Sequence, residues 1–267
     1  MTLFQAFVLG IVQGLTEFLP VSSSGHLFLV RYLLDWPEPG LAFYVALHVG
    51  TLIAVLWYFR REWIELTTAA LAIVRQRGVR TPEERRVLFL VLATIPAAVG
   101  GLLLGDLAAT VFRHPRITAI ALIVVGIVLW FVDRVAPRVR GLASMRWRDA
   151  LAIGLSQVCA LVPGVSRSGA TMTAGRALGF DRQSAAVFSF LMSMPIILAA
   201  IVKEAPGALG GREPLAPIVL GIVASMLSGW LAIAVLLRYL STSSYGVFAV
   251  YRVALGVLVL WTLHVRG

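Results

Sequence analysis

Six stretches of the chain are apolar almost throughout: Leu41–Phe59, Val87–Leu104, Ile117–Val132, Ala185–Val202, Ala216–Leu237 and Gly246–Leu263. As a helix, each is about long enough to cross ~30 Å of hydrocarbon. The alternating ~10-residue segments that a membrane β-barrel requires are absent. Two further stretches, Met1–Leu34 and Asp149–Leu178, are apolar but interrupted midway by Pro, Gly and hydroxyl residues. Neither half of either stretch can cross alone. Non-helical backbone at membrane depth must be enclosed by protein or line a watery cavity, so these stretches read as re-entrant helical hairpins. Two kinked full-length spans are the alternative. The pattern predicts an all-α polytopic membrane protein with six transmembrane helices plus two re-entrant hairpins, forming one integral membrane unit over residues 1–267.

Composition agrees with this class. Of 267 residues, 59% are hydrophobic and 13% charged, whereas a soluble domain carries ~25% charged residues. The opening segment Met1–Pro20 lacks a basic leader and a small-residue cleavage site, so it does not read as a removed signal peptide. A net charge of +10 raises the question of nucleic acid, but the arginines sit in the gaps between apolar runs. Arg60, Arg61, Arg75, Arg77, Arg80, Arg85 and Arg86 fill one gap, and Arg134, Arg138, Arg140, Arg146 and Arg148 another. Arg238 marks a third basic end. The opposite gaps hold fewer, with Arg113 and Arg116 in one and Lys203 and Arg212 in the other. Placing the rich gaps in the cytoplasm lets the spans alternate without conflict, with both termini outside. Nucleic acid is not the expected partner. Cys159, the single cysteine, excludes an internal disulfide and a cysteine metal site and reads as a small buried hydrophobe.

The two interrupted stretches resemble each other. Gly14-Leu15-Thr16-Glu17 recurs as Gly154-Leu155-Ser156-Gln157, and Pro20-Val21-Ser22-Ser23-Ser24-Gly25 as Pro163-Gly164-Val165-Ser166-Arg167-Ser168-Gly169. Further on, Arg31 matches Arg176 and Phe43 matches Phe188. Three spans separate the copies, an odd number, so they enter the membrane from opposite sides. An inverted-topology repeat follows, with halves of roughly 1–135 and 136–267 and one central pocket built from both motifs.

That pocket would hold unusual chemistry for an apolar interior. Glu17 is a carboxylate at membrane depth, costly there unless paired or functional, and Gln13 lies one helical turn before it. Ser22, Ser23, Ser24, Gly25 and His26 follow; Ser166, Arg167, Ser168, Gly169 and Thr171 come from the second copy. Glycine-punctuated hydroxyl loops and helix N-termini bind anions, and an arginine fork suits phosphate oxygens. Glu17 could hold a divalent cation or carry a proton, and His26 could exchange one near neutral pH. Phosphoryl transfer from a membrane-borne substrate fits this set. Simpler roles compete: helix packing for Gly10, Gly14 and Gly154, capping for one of Ser22–Ser24, a structural role for His48, interfacial positions for His114 and His264, and a loop or cap role for Asp106. Arg167 needs an anionic partner in any reading.

The stretches Gln13-Gly-Leu-Thr-Glu17-Phe-Leu-Pro-Val-Ser-Ser-Ser-Gly25-His26 and Pro163-Gly-Val-Ser-Arg167-Ser-Gly-Ala-Thr171 resemble the two signatures of the BacA-type undecaprenyl-diphosphate phosphatases. The likeness extends to Ala93-Thr-Ile-Pro96 and Phe248-Ala-Val-Tyr-Arg252 and covers essentially the whole chain. It implies hydrolysis of undecaprenyl diphosphate to undecaprenyl phosphate and inorganic phosphate at the outer face of the bacterial cytoplasmic membrane. The carrier would thereby be recycled for peptidoglycan and other wall polymers, with bacitracin resistance when the protein is abundant. Magnesium or calcium dependence is implied too, and a homodimer is left open. The family's acidic motif falls on Gln13 and Glu17, so one carboxylate does the cation or proton work; its serine and histidine fall on Ser22, Ser23 and His26, and its phosphate-binding arginine on Arg167. Ser23 is the favoured nucleophile, assisted by His26 or Glu17, with water or the histidine as alternatives. Phosphatidic-acid-phosphatase-type lipid phosphatases also use Ser-Gly-His and Ser-Arg elements, but they need a histidine six residues after the arginine, where this chain has Thr173. A polyprenyl-phosphate transporter or flippase is the remaining alternative.

Overall fold

The computed structural model describes residues 1–110, 114–209 and 214–266. Arg113, Arg212 and the side chain of Asp106 lie outside the described residues. Eleven α-helices run in order among these: α1 Leu3–Phe18, α2 Ser23–Leu34, α3 Leu41–Tyr58, α4 Arg60–Gln76, α5 Pro82–Thr110, α6 Pro115–Val135, α7 Trp147–Val158, α8 Arg167–Ala177, α9 Arg182–Leu209, α10 Leu215–Leu240 and α11 Gly246–Arg266. Six of them, α3, α5, α6, α9, α10 and α11, are long and apolar enough to cross a membrane. They coincide with the six apolar runs, and the protein is a multi-pass membrane protein.

The interrupted stretches form two broken helix pairs, α1–α2 and α7–α8. At 1.5 Å per residue their members are about 16–24 Å long, short of a ~30 Å core. Thr2 opens α1 with a capping box: its Oγ accepts from Gln5 N–H at 3.2 Å while Gln5 Oε1 accepts from Thr2 N–H at 2.9 Å. Pro20 closes it, because a residue before proline is driven to extended backbone, and Leu19 has φ −67° and ψ 143°. The second break, 159–166, opens with a 3-10 turn, Cys159–Leu161. Cys159 is exposed there, which corrects the expectation of burial: α5 and α8 pack against this turn on sides that leave Cys159 open.

Local geometry repeats between the copies. Ser22 and Ser166, 144 residues apart, both take positive φ, 76° and 73°, immediately before α2 and α8. Asp35 and Gly179, again 144 apart, close those helices with φ of 53° and 84°. The left-handed region is costly for a side-chain-bearing residue, so a paired serine outlier marks a backbone turn both breaks require. Contacts cross over in the same sense: α1 packs on α10, the second span of the other half, and α7 packs on α5, the second span of the first. These features are consistent with an inverted repeat. Gly14 lies against Ser225, Ser228 and Gly229 on α10, and Gly154 against the Ala93 backbone on α5. A Cβ at either would overlap these atoms, so the packing role expected for these glycines holds, as it does for Gly10 against Gly221 and Ala224.

One helix escapes the hydropathy reading. The arginine-rich gap contains α4, which buries Leu66 and Ala69 yet exposes Ile64, Leu71 and Val74 on another side. Its arginines and glutamates keep it below a spanning signal, and its 17 residues carry the amphipathic pattern of a helix lying in the interfacial plane.

Three arginines tie the assembly, two of them fully buried. Arg176 and Arg182 both bind Asp133, with Arg176 Nε to Oδ1 at 2.9 Å and Arg182 Nη2 to Oδ2 at 2.7 Å. The same carboxylate accepts from Tyr245 N–H at 3.2 Å, joining α6, α8, α9 and the start of α11. Arg252, on α11, is fully buried. It donates to Pro20 O at 2.9 Å, Gly164 O at 2.7 Å, Val165 O at 2.9 Å and Leu122 O at 3.3 Å. Both helix breaks therefore depend on one guanidinium.

Two tests follow from this packing. Arg252→Met should cost at least ~2 kcal/mol by orphaning buried carbonyls, and Arg252→Lys should recover little, since one ammonium cannot replace the fork; melting temperature in detergent reads both. Gly154→Ala should lower that temperature through an overpacking cost of ~1–3 kcal/mol. By contrast Gly101→Ala, where nothing lies within 4 Å, should hold or raise it.

Candidate functional site

The breaks bring both polar motifs to one place. On α1, Gln13 and Glu17 share a face, and Gln13 Nε2 donates to Glu17 Oε2 at 3.1 Å. Ser23, first residue of α2, donates from Oγ to the same oxygen at 2.7 Å. From the other copy, Arg167 at the start of α8 donates from Nη2 to Glu17 Oε1 at 2.9 Å. Its Nη1 donates to Ser189 O at 3.2 Å. Both side chains are largely buried, Arg167 at 14% and Glu17 at 9% exposure, so this is an ion pair shielded from water. Glu17 and Arg167, expected to converge, do so across 150 residues of sequence.

The remaining motif residues divide by task. Ser166 caps α8, accepting from Gly169 N–H at 3.1 Å, and Ser168 Oγ donates to Leu19 O at 2.9 Å, closing one break onto the other. Thr171 donates to Arg167 O at 2.9 Å and pairs with Ser189 Oγ at 2.7 Å. Ser22 Oγ pairs with Ser24 Oγ at 3.3 Å. Gly169 admits the Arg252 guanidinium, which would stand 2.9 Å from a Cβ; Gly25 meets only ordinary contacts from Ser22 and Thr118. His26 turns away from Glu17. Its Nδ1 lies 2.7 Å from Ser22 O and so carries the proton, leaving Nε2 to accept from Tyr251 Oη at 2.6 Å. Of the two groups expected to assist Ser23, the structure puts Glu17 in contact with it and binds His26 elsewhere.

Beside this cluster lies a cavity of about 660 Å³, lined at its inner end by Gln13, Ser23 and Ser24. Glu17 and Arg167 stand behind that wall. Leu27, Phe28, Leu41, Val45 and Ile201 make its flanks apolar, and Arg31, Glu38, Tyr44 and Glu204 give it a second polar end. His48 lines it too, with Nδ1 2.8 Å from Tyr44 O, so its place is the cavity wall and not merely the helix interior. Sequence reasoning passed over Ser189, Tyr44 and Glu38 because single polar residues inside or beside an apolar span carry no pattern.

Such a set can activate a hydroxyl and hold an oxyanion. A serine Oγ donating to a carboxylate is the nucleophile–base arrangement, and an arginine fork beside it suits a phosphoryl group. A resident metal fits less well. Among the described residues no three His, Cys, Asp or Glu side chains gather, and Glu17 already accepts from Gln13, Ser23 and Arg167. These protein donors alone do not form a divalent-cation cage of several oxygens.

Known proteins share this arrangement of sequence. Residues 6–258 match the family described as bacitracin resistance protein BacA. A relative from Gemmatimonas aurantiaca named undecaprenyl-diphosphatase is 59% identical over 266 residues, spanning 100% of both chains. Relatives of the same name from Pelotomaculum thermopropionicum and Desulforudis audaxviator are 50% and 47% identical, covering 97% and 99% of this chain and 96% and 99% of their own. With the match running through both helix breaks, five spans and most of the sixth, this chain belongs to the bacitracin resistance protein BacA family.

Proposed function

We propose that the protein hydrolyses undecaprenyl diphosphate to undecaprenyl phosphate and inorganic phosphate, returning the lipid carrier to the synthesis of peptidoglycan and other wall polymers and conferring bacitracin resistance. One observation carries the reading: Ser23 donates at 2.7 Å to a carboxylate whose other oxygen is held by Arg167 from the opposite motif. The apolar flanks of the adjoining cavity suit a polyprenyl chain. The names of the relatives support the same substrate.

In the proposed reaction, the terminal phosphoryl group enters at Ser23 and Ser24, and Arg167 exchanges Glu17 for phosphate oxygens. Ser23 Oγ attacks the terminal phosphorus while its proton passes to Glu17. The bond from that phosphorus to the bridging oxygen breaks, its electron pair leaving with undecaprenyl phosphate. Water then attacks the phosphoserine and gives up a proton to the departing phosphate, and Glu17 returns the first proton to Ser23 Oγ. Gln13 and Tyr251 keep Glu17 and His26 in place. The divalent cation that the resemblance implies would come with the diphosphate substrate and offset its charge, and no step above uses it. Every side chain in the scheme comes from one chain, so it holds for a monomer and a homodimer alike.

The orientation belongs to the proposal as well. The cavity lies at the Leu41 end of α3 and the Glu204 end of α9, opposite the end of α3 that meets Arg60 and Arg61. With arginine-rich ends in the cytoplasm, it opens toward the outer face of the bacterial cytoplasmic membrane.

Phosphate release from a polyprenyl diphosphate by reconstituted protein tests this scheme. Glu17→Gln should reduce kcat by ~10²–10⁴-fold, the range for loss of a general base. Ser23→Ala and Arg167→Ala should each abolish turnover within detection, and quenched wild-type reactions should show a phosphoserine at Ser23 by mass spectrometry. Full activity in Ser23→Ala would remove the serine from the chemistry and put water in its place. Protein that carries lipid across liposomes yet releases no phosphate would overturn the hydrolase reading.

A further inference from the structure

The cavity has two polar ends, and the scheme above uses only the inner one. At the mouth stands Arg31, on the face of α2 that also turns Ser23, Ser24, Leu27 and Phe28 into the cavity. Nη1 of Arg31 donates to Tyr44 Oη at 2.8 Å and Nη2 to Glu38, while Nε is buried with no hydrogen-bond partner. A guanidinium has five N–H donors in a planar fork, so this arginine holds a donor in reserve.

Its counterpart in the repeat shows what a purely structural arginine does with the same groups. Arg176 is fully buried. It spends Nε on Asp133, Nη1 on the carbonyls of Pro137 and Phe180, and Nη2 on that of Ala136. Arg31 instead faces a cavity and is held by a carboxylate that is 63% exposed. Glu38 sits in the non-helical link 36–40 between α2 and α3, where a change of rotamer disturbs no helix. Water reaches the pair on its Glu38 side and weakens it there, so the carboxylate is the partner that can be exchanged.

We infer that Arg31, backed by Tyr44, is a second oxyanion subsite at the cavity mouth, taking a phosphate group in exchange for Glu38. Ser23 and Arg31 are eight residues apart on one helix, about 12 Å along its axis, with Leu27 and Phe28 between them. The subsite thus gives a phosphate a foothold before or after the inner end. Glu38 and Glu204, both lining the mouth, repel a resident anion and favour its release. The phosphate could belong to the arriving lipid headgroup or be the freed inorganic ion. This role rests on the diphosphatase reading; phosphate binding itself does not.

Titration calorimetry of the purified full-length protein with inorganic phosphate reads the subsite without turnover. Arg31→Ala should weaken phosphate binding about tenfold, as loss of a charge-assisted contact does, and Glu38→Gln should tighten it. If Arg31→Ala fails to fold, Glu38→Gln, which keeps the arginine, decides alone. Hydrolysis assays then separate the sources: a raised KM for lipid diphosphate at unchanged kcat marks headgroup capture, and weaker product inhibition at unchanged KM marks freed phosphate. Wild-type phosphate affinity in both variants would overturn the subsite. Arg31-dependent phosphate binding in a protein that hydrolyses no lipid diphosphate would keep the subsite and remove the proposed activity.

Discussion

Breaking a helix within a membrane protein frees backbone carbonyls that lipid cannot satisfy, and this chain answers that constraint chiefly with one guanidinium, joined by the Ser168 hydroxyl on Leu19 O. Arg252 supplies donors to Pro20 at the first break and to Gly164 and Val165 at the second. Because the same fork serves both, the two breaks cannot drift apart. Their proximity puts Ser23 of one within reach of Glu17, and Arg167 of the other within reach of the same carboxylate. The polar cluster is in this sense a product of backbone bookkeeping in an apolar solvent.

The copies share a scaffold and differ in chemistry. Ser22 and Ser166 repeat the same strained turn, and Gly14 and Gly154 the same close approach to a neighbouring helix. At functional positions the copies diverge. The place of Glu17 is taken by Gln157, whose buried amide has no hydrogen-bond partner on either atom. Arg167, in turn, has no arginine opposite it, since Ser23 follows Ser22 where Arg167 follows Ser166. One copy contributes the carboxylate and the hydroxyl, the other the cation. A symmetric scaffold therefore carries a single polarised cluster instead of two.

Much of this was legible in the residues because membrane solvent makes the signals strong. Long apolar runs define spans, interruptions by Pro and Ser define breaks, and a lone Glu17 and Arg167 at depth have to find partners. The helix α4 was not legible, because its apolar side is interleaved with Arg and Glu and never sums to a spanning run. Nor was the place of His26: its type and motif suggest proton transfer, but its partner Tyr251 lies 225 residues away, a contact no local pattern encodes. His48 and Tyr44 gain meaning only once α3 is turned toward the cavity. Arg252 had a usable signal, being a charge inside a span, though nothing in the sequence says that carbonyls would be its partners.

The ion pair between Glu17 and Arg167 also has a history in time. A chain threaded into the membrane from its N-terminus delivers the carboxylate some 150 residues before its partner has been made. Until then an uncharged carboxylic acid is the cheaper form to hold in hydrocarbon. Formation of the second hairpin would exchange that proton for a guanidinium, so the charged cluster first arises once both copies have entered the membrane, with three spans still to follow. A chain inserted only as far as α7 holds the carboxylate without its cation, and the charged cluster belongs to the two copies together.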